Sequence, residues 1–473
     1  MSSISDYLKN TEILLKIDNV LSDQLHVTRG LNKQNEIKRL IFEILRKYHY
    51  SMEELLQLDP VKKYIQEKQF NYQHLKDLLI DLRYPLSSRE KRVFSRKNIF
   101  LPKIDEIPDR KEYTFSGKFI PKQIYIESSV LKNIYVQNIL RKFFSIPHVI
   151  IKDLKGIKWK IDEHIQELGK QDLYLTGEII DLFKNCPCTK NVLSCDYFVI
   201  NTAFGCPYDC SYCYLQHYSN FPGIIIPVNI EVMIRKLDAL LKKSRRKLRI
   251  GTGEFTDSLI FEDLIPYSEH FISLFKEAGH ILELKTKSVN IENILRVKAA
   301  KNIVIAWSLN TPYCIKKEEY YTPTLHERLK AAQTVIKKGY KVGFHFDPII
   351  YYPEWEKDYQ NTVGSMFDHA EGNIEWISLG ALRFHRSLKP IIEKRFPKAE
   401  LLNGELLIDE KDHKMRYPEF IRVEMFRKMV EWIRKNDKKV IIYLCMEHFD
   451  IWKKVFKISS KEYQYSKGIC YLG

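Results

Sequence analysis

Apolar residues change their spacing along this chain, and the changes mark out its parts. Up to about residue 110 they recur three or four apart, as in Ile37, Leu40, Ile41, Ile44 and Leu45 and again in Leu75, Leu78, Leu79 and Leu82. That is the spacing of one buried helix face, so residues 1–110 are predicted to form a small helical domain. Leu101 to Pro108 lacks any such period and is rich in proline and charge, which reads as a linker. Phe119 to Glu127 opens like a strand; a helix is expected over 129–144 and a strand over 148–152, within a lead-in segment spanning 111–195.

From Tyr197 onward short apolar runs alternate with helical periods. Strands are predicted at 197–200, 248–251, 280–286, 304–309, 341–346 and 374–379, with helices at 231–243, 266–278, 291–299, 325–338 and 355–369. Such alternation predicts parallel βα units. Six strands ending in polar residues predict an α/β protein with a partial (β/α)6 TIM-like barrel over 196–380, its chemistry at the C-terminal strand ends. Residues 381–473 are expected to extend it as an α+β segment that includes a last apolar strand near Tyr443.

Composition narrows the setting. At 473 residues with 45% apolar positions the chain has ample material for two or three domains. No run approaches the roughly eighteen apolar residues of a membrane span, and the N-terminal residues lack the pattern of a signal peptide, so a cytoplasmic protein is expected. The net charge of +16 suits a polyanionic partner or an anionic cofactor, and also reflects a lysine-rich composition. A basic run at Arg89, Lys91, Arg92, Arg96 and Lys97 fits either nucleic acid or a solvated linker face. Nine cysteines, six of them between Cys186 and Cys213, fit a reducing compartment and a metal site better than a disulfide framework.

The chemistry concentrates in Cys206-Pro207-Tyr208-Asp209-Cys210-Ser211-Tyr212-Cys213, directly behind the first barrel strand. Three thiolates on one loop can hold an iron-sulfur cluster of four irons and leave one iron open to a small molecule. A structural zinc site is the alternative, with Cys195 or His217 as fourth ligand, although no second C-x2-C knuckle is present. Cys186, Cys188 and Cys195 could bind a second metal, bring a thiol toward the loop, or simply be buried.

The C-x3-C-x2-C spacing resembles that of radical S-adenosylmethionine (radical SAM) enzymes. The run Cys210-Ser-Tyr-Cys213-Tyr-Leu-Gln216 resembles the spore photoproduct lyase family in particular. The similarity continues in order through Thr286-Lys287-Ser288, Trp307-Ser308-Leu309-Asn310, Gly339-Tyr340, Gly343-Phe344 and Asp347-Pro348-Ile349, from about Phe119 to the C-terminus. It does not cover the helical N-terminus.

The resemblance implies Cys206, Cys210 and Cys213 as ligands of a 4Fe-4S cluster, and S-adenosylmethionine held by Gly251, Gly253, Glu254, Lys287, Ser308 and Asn310. It implies reductive cleavage to a 5'-deoxyadenosyl radical and repair of thymine dimers in DNA, with an electron donor such as flavodoxin or ferredoxin. Tyr212 and Tyr214 match the family's relay tyrosines, and Lys414, Arg416 and Tyr417 match a segment near DNA. Two departures stand out. Asp347 occupies a position where the family commonly has a small residue, and Glu254 or Phe255 occupies that of the family's hydrogen-donor cysteine. A tyrosine, or Cys195 from another segment, could take over the donor role. The alternatives are a radical SAM enzyme for another substrate, such as a modified nucleobase or protein side chain, and a zinc-stabilised nucleic-acid-binding protein without catalysis.

Overall fold

The computed structural model describes residues 3–27, 31–68, 70–83, 119–154, 172–188, 192–193, 196–218, 221, 223–396, 399–404 and 406–457. The basic run from Arg89 to Lys97, the Leu101–Pro108 linker and Cys195 lie outside them. The chain divides into two compact units, residues 1–109 with 402–416, and residues 110–401 with 417–473.

In the smaller unit, helices Ser3–Asp23, Leu31–Tyr48, Met52–Gln57, Asp59–Glu67 and Tyr72–Arg83 surround one apolar core. Ile37, Leu40, Ile41, Ile44 and Leu45 are buried in it with Leu75 and Leu79, while Leu78 and Leu82 pack at its edge. The helix at Met52 begins with a capping box, in which the Ser51 hydroxyl accepts the Glu54 N–H and the Glu54 carboxylate accepts the Ser51 N–H. Inside the bundle the one buried carboxylate of Glu43 lies 2.6 Å from Arg39 and 3.5 Å from Arg83. Two short strands, Leu407–Ile408 and Lys414–Arg416, pair antiparallel in the same unit.

The larger unit carries two sheets. A four-stranded parallel sheet has the order 148–151, 124–127, 173–176, 224–227. The main sheet has eight strands: β1 (Phe183–Asn185), β2 (Tyr197–Ile200), β3 (Arg249–Thr252), β4 (Ile281–Thr286), β5 (Ile303–Ser308), β6 (Lys341–Ile349), β7 (Ile374–Ala381) and β8 (Ile441–Leu444). They lie side by side in chain order from β1 to β8. All neighbours are parallel except β1 and β2. The six central strands expected from the sequence are β2 to β7, and β1 and β8 extend the sheet at its two edges. All six residues of β5 are buried, which is why it reads as a continuous apolar run. The helix Leu325–Lys337 starts at a second capping box, Thr324 with Glu327, and buries Leu325, Leu329, Ala332 and Val335 on one face.

A polar network ties the strands together within the sheet's interior. The Glu283 carboxylate of β4 lies 2.8 Å from the Arg249 guanidinium of β3 and 2.6 Å from His345 Nε2 of β6, and accepts the Trp376 indole N–H of β7 at 3.2 Å. Arg249 also donates to the Tyr443 hydroxyl of β8 at 2.8 Å. Burial alone would raise the Glu283 acid, but Arg249 first and then His345 hold it well below the usual carboxylate range. Polar groups from five strands thus surround the one buried ion pair, Arg249 with Glu283. Among the described residues no helix is long and apolar enough to cross a membrane.

Candidate active site

The cysteine loop leaves β2 through Gly205, whose N–H donates to the Phe255 carbonyl at 2.9 Å. Cys210 then lies in a two-residue strand, Asp209–Cys210, paired antiparallel with Glu319–Tyr320. Side chains from further along the chain fasten this loop. Arg395 binds both Asp209 carboxylate oxygens, at 2.8 and 2.9 Å, and donates to the Gln216 side-chain oxygen Oε1 at 2.7 Å. Gln216 in turn donates to the Cys210 carbonyl at 2.7 Å. Buried Glu318 accepts from the Ser211 hydroxyl and from the backbone N–H groups of Glu400 and Leu401 at 2.7 and 3.0 Å. These contacts tie the loop to Glu318 and to Arg395, far along the chain.

Its three sulfurs fit a metal cluster chemically. They are soft donors on one loop, and burial pushes all three thiols above their ordinary range, with the Asp257 carboxylate adding to the rise at Cys206 and that of Glu319 at Cys210. Cationic Lys287 opposes that rise at Cys210 and Cys213. A bound cation would stabilise the thiolates far more strongly. Among the described residues no three metal-ligating side chains already stand as a closed set. His217, considered as a fourth ligand, instead stacks on His385 with ring centroids 5.2 Å apart.

The predicted cofactor residues stand at the C-terminal ends of β3, β4 and β5 and just beyond them. Gly251 has a packing reason to be glycine, since a Cβ there would fall 1.6 Å from the Tyr197 hydroxyl of β2. Gly253 has φ +97°, and a Cβ on it would meet the Lys285 carbonyl at 2.7 Å. Next to it, the Glu254 carbonyl accepts the Tyr214 hydroxyl at 2.6 Å, and the Glu254 carboxylate lies 3.6 Å from Lys184. Lys287 donates its backbone N–H to Asp257 at 2.5 Å, and its ammonium lies 5.8 Å from the centre of the Tyr212 ring. Burial would lower Lys287, but Glu319 and Cys210 outweigh it and the ammonium is held above its ordinary range. Ser308 and Asn310 are buried. The Asn310 carboxamide donates to Glu319 at 3.3 Å and to the Pro348 carbonyl at 3.2 Å, and accepts from Tyr359 at 2.5 Å.

A family profile for spore photoproduct lyase matches residues 119–449. The chain belongs to the spore photoproduct lyase family. The spore photoproduct lyase of Clostridium acetobutylicum is 27% identical over 312 residues, covering 63% of this chain and 88% of that protein. That of Bacillus subtilis is 26% identical over 300 residues, covering 60% and 84%. A solved spore photoproduct lyase complexed with dinucleoside spore photoproduct matches with a TM-score of 0.59 at 21% identity, over 69% of this chain and 99% of that one. A double mutant with bound AdoMet and dinucleoside spore photoproduct gives the same TM-score and identity over 70% and 99%. These likenesses carry the fold, the partial barrel of radical SAM enzymes.

Within this family fold Tyr212 and Tyr214, the two tyrosines expected to act as a relay, are well held. The Tyr212 hydroxyl donates to Glu319, and Tyr214 is fixed to Glu254 as described. Asp347, the departure at the end of the fifth barrel strand, makes a two-point ion pair with Arg383 at 2.8 and 3.1 Å. That guanidinium also lies 3.5 Å from the Cys445 sulfur and 3.3 Å from the Met446 sulfur. The residues expected to meet substrate are used internally. Arg416 is buried against Asp412 at 2.5 Å, and buried Tyr417 accepts the Tyr351 N–H at 2.9 Å; Lys414 is half-buried on its short strand. Glu447 is buried 3.3 Å from Arg422, and His448 stands at the N-cap position of the helix Phe449–Phe456 without a side-chain capping bond.

Sequence reasoning missed Glu318, Glu319, Arg328 and Arg395. Arg328 donates to Glu319 at 2.6 Å, to Thr322 at 2.7 Å, and to the carbonyls of Pro323 and Ser308 at 2.9 Å. Glu319 thereby joins Arg328, Tyr212 and Asn310 directly behind Cys210. The adjacent acids Glu318-Glu319 before a capping threonine were the available signal.

Proposed function

We propose that this chain is a radical SAM lyase that repairs spore photoproduct in DNA, using a 4Fe-4S cluster on Cys206, Cys210 and Cys213. The observation that carries the reading is the site's composition: three cysteines at C-x3-C-x2-C spacing on a loop behind β2 that Arg395 and Glu318 fasten, with the Lys287 ammonium 5.8 Å from the ring of Tyr212, which lies between Cys210 and Cys213. When bound, the cluster and S-adenosylmethionine would supply a carbon radical able to take a hydrogen atom from the substrate. The chain's own part is to hold and shield. The exposed backbone at Gly253 would receive the cofactor's amino group, and the Lys287 ammonium its carboxylate. Asn310 and Ser308 would support that pocket through their buried bonds. Tyr212, tied to Glu319, orders the wall next to Lys287. A low-potential one-electron carrier, such as a flavodoxin or ferredoxin, would reduce the cluster. A damaged and weakly stacked thymine pair is comparatively cheap to turn out of a duplex, which suits such a pocket.

The test is anaerobic. The full chain is loaded with iron and sulfide, reduced with dithionite, and given S-adenosylmethionine with dinucleoside spore photoproduct. Formation of 5'-deoxyadenosine together with repaired thymine supports the reading. Formation of 5'-deoxyadenosine while the photoproduct persists overturns the substrate assignment, and failure to bind iron overturns the cluster.

A further inference from the structure

One turn of helix carries the chain out of the cysteine loop, and it puts its aromatic residues on one side. The His217 and Tyr218 N–H groups both donate to the Tyr214 carbonyl at 3.0 Å, so Tyr214, His217 and Tyr218 stand three and four residues apart on one face of the turn Leu215–Tyr218. Gln216 turns the other way and is buried. The three rings meet edge to face, with the centre of Tyr218 lying 5.7 Å from that of Tyr214 and 5.6 Å from that of His217. His385, on the strand Arg383–His385, continues the row by lying parallel to His217, with 3° between the ring planes. The Ser387 hydroxyl bridges that pair, 2.5 Å from His385 Nδ1 and 3.0 Å from His217 Nε2. Tyr218 is 61% exposed and Tyr214 38%, and His217, His385 and the adjacent Arg386 are exposed as well. Single exposed aromatics are ordinary on a protein surface. Four rings in contact, bridged by a serine and beginning at the residue after Cys213, make a continuous platform.

We infer that this row is the surface on which the DNA strand beside the lesion lies, its unpaired bases stacking on the rings of Tyr218 and His385, a role that rests on the lyase reading above. Every base offers a flat face, so stacking holds a strand without reading its sequence. That suits an enzyme whose lesion can have any neighbours. Arg386, exposed beside His385, and the chain's net charge of +16 supply the positive charge that backbone phosphates require. Arg416 and Tyr417, expected to meet DNA, are instead buried and bonded within the protein. The platform therefore takes over the strand-holding part, and it starts one residue beyond a proposed cluster ligand.

Anaerobically loaded full-length wild type, Tyr218→Ala, Tyr218→Phe, His385→Ala and His385→Phe are compared on dinucleoside spore photoproduct and on a single-stranded oligonucleotide with one spore photoproduct at its centre. Stacking on an aromatic ring is worth about 5- to 150-fold per base. Wild-type kcat/KM should thus be about tenfold or more higher on the oligonucleotide, and each alanine variant should lower that ratio about fivefold or more, through KM rather than kcat. The phenylalanine variants keep a ring and should hold the ratio within about twofold of wild type. Binding gives a second readout that needs no turnover. Replacing the nucleotides that flank the lesion by abasic ones keeps the phosphates, and should weaken wild-type binding about fivefold or more but Tyr218→Ala binding less than about twofold. Alanine variants whose ratio stays within twofold of wild type overturn the platform, as do phenylalanine variants that lose as much as alanine, or wild-type binding indifferent to abasic flanks. Alanine variants that slow 5'-deoxyadenosine formation with flavodoxin but not with dithionite, at an unchanged ratio, overturn it in favour of a docking surface for the electron carrier. A wild type that leaves the dinucleoside unrepaired overturns the parent reading, while the abasic comparison still decides the platform.

Discussion

Replacing Arg328 by methionine should destabilise the larger unit by about 3–5 kcal/mol, the usual result of stripping one partner from a buried ion pair. The guanidinium is fully buried, and Glu319, 2.6 Å away, is almost equally so. Its loss leaves Glu319 with Tyr212 and Asn310 and removes the donors to the carbonyls of Ser308 and Pro323. The pH dependence has a definite sign. Burial would raise the Glu319 acid, but Arg328 first and Lys287 second bring it below its ordinary value of 4.5, so in the wild type its contribution is present above that pH and lost below it. Without Arg328 burial dominates, Glu319 takes up a proton, and the gap to wild type narrows as pH falls from 8 toward 5. Urea unfolding at both pH values measures this, and the double variant Arg328→Met with Glu319→Gln should recover more than half of the loss, because the buried carboxylate that Arg328 compensated is gone. A single variant within about 1 kcal/mol of wild type at pH 8, or a double variant no better than the single, would refute the reasoning.

Three further outcomes are expected. Burial pushes Glu318 up to about 8 from 4.5, so the folded chain holds a proton there that the unfolded chain releases, and stability contributed below pH 4.5 is lost as pH rises through 8. Glu318→Gln should therefore match wild type near pH 5 and exceed it at pH 9, by no more than about 5 kcal/mol in urea unfolding. Gly251→Ala should cost about 3 kcal/mol through overpacking. Adding Tyr197→Phe should recover little, because a Cβ would still meet the Tyr197 ring carbon at 2.5 Å and the Glu283 carbonyl at 2.8 Å. Alanine at Cys206, Cys210 or Cys213 should each cut bound iron about tenfold or more after anaerobic loading. Alanine at Cys314, buried in the helix Pro312–Glu318, should leave iron content unchanged while lowering stability.

The central strands were legible because their signal is local. Ile303 to Ser308 is an apolar run between turns, and Leu325 to Lys337 carries both a helical stripe and its own cap. The four-stranded sheet was half seen: Ile124–Glu127 and His148–Ile151 were expected, whereas the equally short Leu173–Thr176 and Ile224–Pro227 were not. The helix expected over 291–299 closes after Arg296, and the run from Ser129 splits into one 3-10 turn and the helix Ile134–Lys142. At the site, cysteine spacing pointed to the loop, but nothing near those cysteines names what fastens them. Ser211 and Glu318 are 107 residues apart, and only the returning chain brings them together. Gly251 and Gly253 were read as cofactor cradle; local packing against Tyr197 and Lys285 already requires both, a demand invisible until β2, β3 and β4 are side by side.

The clasp formed by Arg395 on Asp209 also sets a timetable for the living cell. The two residues are 186 positions apart, and the cysteines leave the ribosome with the earlier one. At about 5–20 residues per second, synthesis leaves the thiol loop without its clasp for roughly 10–40 seconds. During that interval the loop is a loose soft-metal trap, open to whichever ion or oxidant arrives first. Loading of the proposed cluster would then follow closure of the chain, since only then does Arg395 hold Asp209 next to Cys210.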